Sequence, residues 1–361
     1  MNLSAPSTSG TVSNECEPYE FLRGIPDHTA TGAHALLIFI TVVSTITCPF
    51  TIILNAPVMI GVKTKARLKT NSNTTLACLA LTDVLVGVIA QPVFTGSTIL
   101  ILQGETSSKY FARRRIVRTT LRSIAGASIR HLVLISVERY LAVKHPFTYT
   151  TMVTKARILG SSGLAWMTAV VANLPLLLTN NNILLTLSNI FLFIGIATIV
   201  FCQVTVYIET RRHEKEIAAQ QVSQEARQKF LKEKKAFKLT TTVLFILLLC
   251  YSPQLVVRIL FVSSKITTVN STCIALFSAT SIAVLNSFIN PIVYCVRIRQ
   301  FRVAFIEILL KKNYTQAEQF ERRIFRIRSI VVPPEAPQEV DDQTNIHRNP
   351  NNNMNDNNHN N

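Results

Sequence analysis

The sequence predicts an all-α membrane protein: a seven-transmembrane helix bundle followed by a short amphipathic eighth helix. Of its 361 residues, 48% are hydrophobic, and the mean hydropathy of +0.30 is too high for a soluble domain. Seven apolar segments can each cross a bilayer, since about 20 helical residues span its hydrocarbon core. They cover residues 33–62, 73–99, 110–143, 154–178, 183–210, 236–262 and 271–296.

Charge in the short loops predicts the orientation of these segments. Basic residues follow the first segment and separate the third from the fourth and the fifth from the sixth. Because such loops stay in the cytoplasm, we expect a multi-pass plasma-membrane protein with its N-terminus outside. The three expected parts are an extracellular tail over 1–32, the membrane domain over 33–310, and a disordered, Asn-rich cytoplasmic tail over 311–361. The net charge of +17 fits attraction to anionic membrane lipids, and no nucleic-acid partner is expected.

One group of polar residues lies within the apolar segments, where lipid makes such groups costly and therefore functional by default. Asp83 in the second segment cannot stay ionised there without partners. The polar residues that the third and seventh segments would bring to its level are Ser128, Asn286 and Asn290. One interpretation of this group is a neutral, hydrogen-bonded aspartate that only holds helices together.

Further motifs lie toward the cytoplasmic side. The third segment ends with Glu138-Arg139-Tyr140, which we interpret as a charge pair at the mouth of the bundle rather than two solvated surface charges. Pro253 in the sixth segment and Pro291 in the seventh each remove a helix hydrogen bond and predict a kink. Basic and apolar residues alternate with helical spacing over 297–306, which predicts the eighth helix on the inner leaflet.

The predicted outer side carries two kinds of modification signal. Cys16 and Cys273 are the cysteines on the oxidising side, so they form the predicted disulfide. Asn2 and Asn270 each begin an Asn-x-Ser/Thr sequence and are the predicted glycosylation sites of a glycoprotein.

The motifs, taken in chain order, resemble those of one family. They are Asn55, Leu79-Ala80-Leu81-Thr82-Asp83, Glu138-Arg139-Tyr140, Trp166 with Pro175, Cys250-Tyr251-Ser252-Pro253 and Asn290-Pro291-Ile292-Val293-Tyr294. From Leu36 to Phe305 the chain resembles a rhodopsin-class (class A) G protein-coupled receptor, loosely nearest the melanocortin, lysophospholipid, cannabinoid and adenosine receptor group. The resemblance implies a non-enzymatic receptor that transduces binding of an extracellular ligand into activation of a heterotrimeric G protein. The alternatives are a constitutive or decoy seven-helix protein without its own ligand, and a transporter, although no internal repeat is found.

The resemblance also implies roles for individual residues. Arg139 would pair with Glu138 and, across the bundle, with Glu233, and breaking that pair would open a cleft for the G protein. Tyr207 and Tyr294 would approach each other in the active state. An allosteric sodium ion, the one cofactor expected, would be held in the resting state by Asp83, Ser128, Asn286 and Asn290.

The expected ligand is anionic because arginines occupy the outer part of the bundle. Arg118 and Arg122 are four residues apart and share one face of the third helix, and Arg258 lies at a similar height in the sixth. Arginine suits bidentate capture of carboxylate or phosphate. With Tyr251, which stands where the family usually has tryptophan, these are the predicted contacts for an anionic small molecule, lipid or peptide. In the alternative interpretation the arginines reach outward to lipid headgroups.

Overall fold

The fold is a bundle of long helices, as predicted. The computed structural model describes residues 27–103, 108–178, 182–219 and 269–330, and within the sixth segment the helical positions 241–242, 245–246, 249–253, 256–257 and 260. The helices are α1 (Asp27–Thr64), α2 (Asn71–Leu102), α3 (Ser108–Lys144), α4 (Pro146–Met152), α5 (Lys155–Asn173), α6 (Asn182–Ala219), α7 (Val269–Arg297), α8 (Arg299–Leu309) and α9 (Tyr314–Ile330).

Hydropathy alone identifies most of the membrane spans. Among the described residues, α1, α2, α5, α6 and α7 are long and apolar enough to cross a membrane. Helix α3 is long enough to cross a membrane, but it carries many arginines and is therefore less apolar than those five helices. It nevertheless packs against α2, α5 and α6, with Ala127 and Leu132 fully buried. The third segment is therefore the central helix of the bundle, although it is one of the most polar.

Helix α2 contains a local irregularity beside its buried aspartate. A π-helical turn covers Val86–Ala90, just before Pro92, whose missing N–H and ring disturb the regular hydrogen-bond pattern of a helix. A Cβ on Gly87 would lie 2.7 Å from the Cγ1 atom of Ile52, and the thiol of Cys48 donates to the Gly87 carbonyl at 3.1 Å. The absence of a side chain at Gly87 therefore allows α1 and α2 to approach closely, one turn from Asp83.

The predicted eighth helix is confirmed as α8. It buries Phe301, Ala304 and Phe305 against the cytoplasmic end of the bundle. Glu307 on the same helix forms ion pairs with Lys65 and with Arg67, the latter at 2.5 Å. These pairs fasten α8 to the loop between α1 and α2.

The prediction that residues 311–361 are disordered is wrong for α9. Glu321 of α9 is 3% exposed and accepts charged hydrogen bonds from Arg302 at 2.8 Å and from Arg299 at 3.0 Å. Burial alone would raise the pKa of Glu321, but the hydrogen bonds from Arg302 and Arg299 outweigh burial and lower it. Arg302 also lies over the ring of Phe325 at 4.4 Å. The compositional signal missed this helix because its contacts with α8 include charged hydrogen bonds, which low apolar content does not reveal. Residues 331–361 lie outside the described residues.

The modification signals remain predictions. Cys16 and Asn2 lie outside the described residues, as do the side chains of Cys273 and Asn270. Five cysteines within the described part of the chain are free thiols: Cys48, Cys78, Cys202, Cys250 and Cys295.

Candidate functional site

A buried polar cluster joins α1, α2 and α7 in the middle of the bundle. Asp83 is 0% exposed and Asn290 is 1% exposed. The Asn290 Nδ2 atom donates to the Asp83 Oδ2 atom at 2.8 Å. Asn55 donates to the carbonyls of Thr51 and Ser287, both at 2.9 Å, and so ties α1 to α7. The predicted association of Asp83 with the seventh segment is thus present.

The other two predicted partners of Asp83 behave differently. Ser128 donates to the Ile124 carbonyl of its own helix at 3.2 Å. Asn286 is buried, but its Oδ1 atom has no hydrogen-bond partner among the described residues, and neither does Asp83 Oδ1. Buried oxygens without donors are costly.

A second cluster surrounds Glu138 at the cytoplasmic end of α3. The carboxylate is 5% exposed and pairs with Arg139 at 2.8 Å. Ser72 and Thr75 of α2 donate to it at 2.8 and 2.7 Å, and Tyr149 of α4 donates at 3.2 Å. Arg139 also donates to Ser72. The pair is therefore a buried, hydrogen-bonded unit, and the interpretation as two solvated surface charges is wrong.

The protonation of Tyr149 supports this arrangement. Burial, and then the negative charge of Glu138, raise the pKa of Tyr149. The phenol therefore stays protonated at physiological pH and remains a hydrogen-bond donor to Glu138. No sequence signal marked Ser72, Thr75 or Tyr149, because nothing local shows which small polar groups will surround a charge across two helices.

The remaining predicted switch residues are only partly brought together. Tyr140 of α3 packs against His145 and Phe201, with ring centroids 5.8 and 6.2 Å away. Tyr294 is fully buried against Phe301, whereas Tyr207 is half exposed beneath the guanidinium of Arg211. The two tyrosines therefore have separate surroundings here.

Both prolines that predict a kink lie at helical positions. Pro291 lies buried inside α7, and Pro253 lies in a helical, half-buried position of the sixth segment. Glu233 lies outside the described residues, so its pairing with Arg139 remains a prediction.

Of the predicted outer arginines, Arg122 points toward α5 and α6. Arg122 donates to Ser188 Oγ at 2.9 Å and Asn189 Oδ1 at 3.1 Å, both on α6. Its Nε atom donates to Asn173 Oδ1 of α5 at 3.4 Å. Arg118 is half buried on the same helix.

The other two predicted ligand contacts are Tyr251 and Arg258. Tyr251 is 7% exposed and belongs to the apolar core together with Tyr294 and Ile199. Arg258 lies outside the described residues.

Sequence reasoning missed His131, a polar centre of the bundle. Its Nε2 atom is 2.7 Å from the hydroxyl of Ser162 on α5, and its Nδ1 atom is 2.8 Å from the Ala127 carbonyl. Its ring meets Trp166 edge-on at 6.5 Å. Since the residue is fully buried and ties α3 to α5, its role is structural. Its place inside an apolar segment was the available signal.

Comparison with known proteins agrees with this geometry. The model of the family "7 transmembrane receptor (rhodopsin family)" matches residues 54–183 and 178–294. Muscarinic acetylcholine receptor M5 of Rattus norvegicus is 29% identical over 163 residues, which are 44% of this chain and 29% of that receptor. Adenosine receptor A3 of Ovis aries is 27% identical over 282 residues, which are 71% of this chain and 84% of that receptor.

Muscarinic acetylcholine receptor M3 of Gorilla gorilla gorilla is 31% identical over 149 residues, covering 41% of this chain and 25% of that receptor. The aligned part of the chain thus spans less than a third of either muscarinic receptor, but most of the adenosine receptor. Adenosine receptors are in the group that the sequence motifs resemble, whereas muscarinic receptors lie outside it. The family match covers the bundle from α1 to α7, and the chain belongs to the rhodopsin family of seven-transmembrane receptors.

Proposed function

We propose that this chain is a plasma-membrane receptor, with its N-terminus outside, that passes binding of an extracellular ligand to a heterotrimeric G protein. The observation that carries the proposal is the buried Glu138–Arg139 pair at the cytoplasmic end of α3. A buried ion pair is a weak source of stability, because desolvation offsets much of the attraction. It is well suited to a switch, because an incoming partner can replace one of its members.

The contacts of this pair suggest how such a switch works. In the arrangement described here, Ser72 and Thr75 of α2 and Tyr149 of α4 hold the Glu138 carboxylate. Arg139 stays against Glu138 and Ser72. Movement of the sixth segment away from α3 would open a cleft beside Arg139, and a G protein that binds Arg139 in place of Glu138 and Ser72 would shift the population toward the open form. Glu233 is the expected restraint on the sixth segment.

We further propose that the ligand is anionic and meets Arg118, Arg122 and Arg258. Among the relatives, the muscarinic receptors are named for acetylcholine, a cation. Here the middle of outer α3 offers Leu121, which packs against the apolar cluster of Val86, Ala90 and Ile124. The guanidinium of Arg122 is held in place by side-chain oxygens of α5 and α6. Positive charge held in a fixed orientation favours a carboxylate or phosphate.

A sodium ion at Asp83 is the corresponding proposal for the resting state. Asp83 and Asn286 each present a buried oxygen without a donor among the described residues. Together with Ser128 and Asn290 they would hold the ion, whose positive charge would balance the buried carboxylate.

The decisive test of G protein coupling is Arg139→Ala. Nucleotide exchange is measured on purified G proteins of each class, in membranes with matched surface expression of wild type and variants. We expect basal exchange above mock-transfected membranes for wild type and its loss in Arg139→Ala. The matched control is Arg212→Ala, which removes an exposed arginine paired with Glu216 on α6 and should retain exchange. Glu233→Ala should raise basal exchange.

Two results would contradict the proposal. Equal exchange by wild type and Arg139→Ala would show that Arg139 does not meet the G protein. Wild-type membranes indistinguishable from mock membranes with every G protein class would favour the decoy alternative.

A further inference from the structure

Arg130 is a positive charge in the membrane-embedded part of α3 that neither the switch nor the proposed ligand contacts use. It lies nine residues before Arg139, which is about 13 Å along a helix. Among the described residues it has no hydrogen-bond or ion-pair partner. A guanidinium does not lose its proton in proteins, and keeping it in hydrocarbon is costly. Such a residue needs a counter-charge.

The absence of a side chain at Gly126 sets the position of this guanidinium. Side chains of a helix lean toward its N-terminus, so Arg130 reaches back one turn along α3. A Cβ placed on Gly126 would lie 2.9 Å from Arg130 Nη1, 3.8 Å from Ala169 Cβ and 4.0 Å from Asn173 Nδ2. The guanidinium therefore occupies space that an alanine at position 126 would obstruct, and it lies on the side of α3 that faces α5.

Arg122 brings a second guanidinium to the same place. Its Nε atom donates to Asn173 Oδ1 at 3.4 Å, and Ser188 donates to the same oxygen at 3.1 Å. Asn173 is 3% exposed, and its Nδ2 atom donates to the Ala169 carbonyl at 2.8 Å. The oxygens that these contacts supply to Arg122 are neutral.

The surroundings open toward lipid. Helix α3 packs along both α5 and α6, whereas α5 and α6 make few contacts with each other among the residues that the structure describes. A crevice floored by α3 thus separates them. Two apolar residues next to Asn173 and Ser188 in the chain are exposed: Leu174, which directly follows α5, at 51% and Leu187 of α6 at 47%. Phe191, one turn further along α6, is 59% exposed.

We infer that the crevice between α5 and α6 is a lateral binding site for an anionic lipid with an acyl tail. Its phosphate or carboxylate head lies between Arg122 and Arg130, and its tail lies along Leu174, Leu187 and Phe191. The lipid enters from the bilayer, which separates this site from a pocket entered from outside. The inference shares Arg122 with the proposed ligand contacts but does not depend on G protein coupling.

The test uses the full chain in phosphatidylcholine nanodiscs and measures its thermal midpoint by intrinsic fluorescence. The probes are oleoyl lysophosphatidate, oleoyl lysophosphatidylcholine with the same tail and no net charge, and inorganic phosphate. We expect lysophosphatidate alone to raise the midpoint in a saturable way. Gly126→Ala, which pushes against Arg130 but favours the helix, should weaken this response by about tenfold or more, the scale of one lost charge-assisted contact.

Two further variants separate this site from general attraction to positive charge. Arg130→Leu should abolish the lysophosphatidate response and at the same time raise the midpoint without lipid, because it removes a charge from hydrocarbon. Arg115→Gln is the matched control, since Arg115 lies at the outer end of α3, where it donates to the Leu178 carbonyl, and it should respond as wild type does. Equal responses to both lysolipids, a response to phosphate alone, or an equal loss in Arg115→Gln and Arg130→Leu would overturn the inference.

Discussion

Thr75→Val is the substitution that most directly tests the resting arrangement of the cytoplasmic cluster. Thr75 is buried, and its hydroxyl donates to the Glu138 carboxylate at 2.7 Å, a shorter contact than those from Ser72, Arg139 and Tyr149. Valine keeps the shape of threonine but removes the donor. If these contacts belong to the resting state, their loss should favour the active state and raise basal signalling.

The contacts of Glu138 set the size of the expected effect. A hydrogen bond to a charged group contributes about 1.5–3 kcal/mol. Glu138 keeps Ser72, Tyr149 and Arg139 after the substitution, so the lower figure applies. Since about 1.4 kcal/mol corresponds to a factor of ten, the ratio of active to resting receptor should rise about tenfold. Tyr149→Phe removes a longer contact of 3.2 Å and should have a smaller effect.

The assay is basal nucleotide exchange in membranes at equal surface expression. Thr74→Val is the matched control, because the Thr74 hydroxyl donates to the Thr70 carbonyl of its own helix, away from Glu138. We expect Thr75→Val well above wild type, Tyr149→Phe between them, and Thr74→Val at the wild-type level. Equal activity of Thr75→Val and Thr74→Val would refute the reasoning. It would mean that the Thr75 hydroxyl stabilises the resting and the active state by the same free energy.

Three other outcomes follow from the structure. Sodium should lower basal nucleotide exchange in wild type but not in Asp83→Asn. Sodium sensitivity that survives the substitution would mean that Asp83 only holds helices together. The double variant Arg118→Gln with Arg122→Gln should need at least about tenfold more of an anionic agonist, whereas a potent cationic agonist would contradict the pocket assignment. Glu321→Gln should speed hydrogen exchange across α9 at pH 7 more than Glu318→Gln does. In wild type, because the folded-state pKa of Glu321 lies below the ordinary 4.5, its contribution to docking should be complete above about pH 4.5 and be lost as the pH falls through the lowered value. The readout is the protection factor, which removes the intrinsic pH dependence of amide exchange. Protection factors of α9 that stay constant from pH 7 to pH 3 would show that these ion pairs do not hold α9.

The membrane spans and the main polar pairing were predictable from sequence because they depend on local or strongly constrained chemistry. A helix must satisfy its own backbone in lipid, so apolar length alone places α1, α2, α5, α6 and α7. A buried carboxylate requires a polar partner, and few residues at the correct depth could supply one. For that reason the pairing of Asp83 with Asn290 followed from composition and depth.

Choices between competing partners were not predictable in this way. Ser128 lies at a suitable depth for Asp83 but donates to its own helix, because a serine hydroxyl can reach the carbonyl four residues before it. Glu138 is surrounded by Ser72, Thr75 and Tyr149 from two other helices. Which of the many small polar groups surrounds a charge depends on how those helices are rotated about their axes.

By itself, the sequence determined that the chain crosses the membrane as a helical bundle with charged groups at set depths, since hydropathy and helix period are local properties. Only the tertiary structure decided where those charges point. It directed Arg122 and Arg130 toward α5 and folded α9 beneath α8 through Glu321. The physical reason is that a side chain's partner is set by the relative rotation and spacing of packed helices, which depends on every contact in the bundle rather than on any single segment.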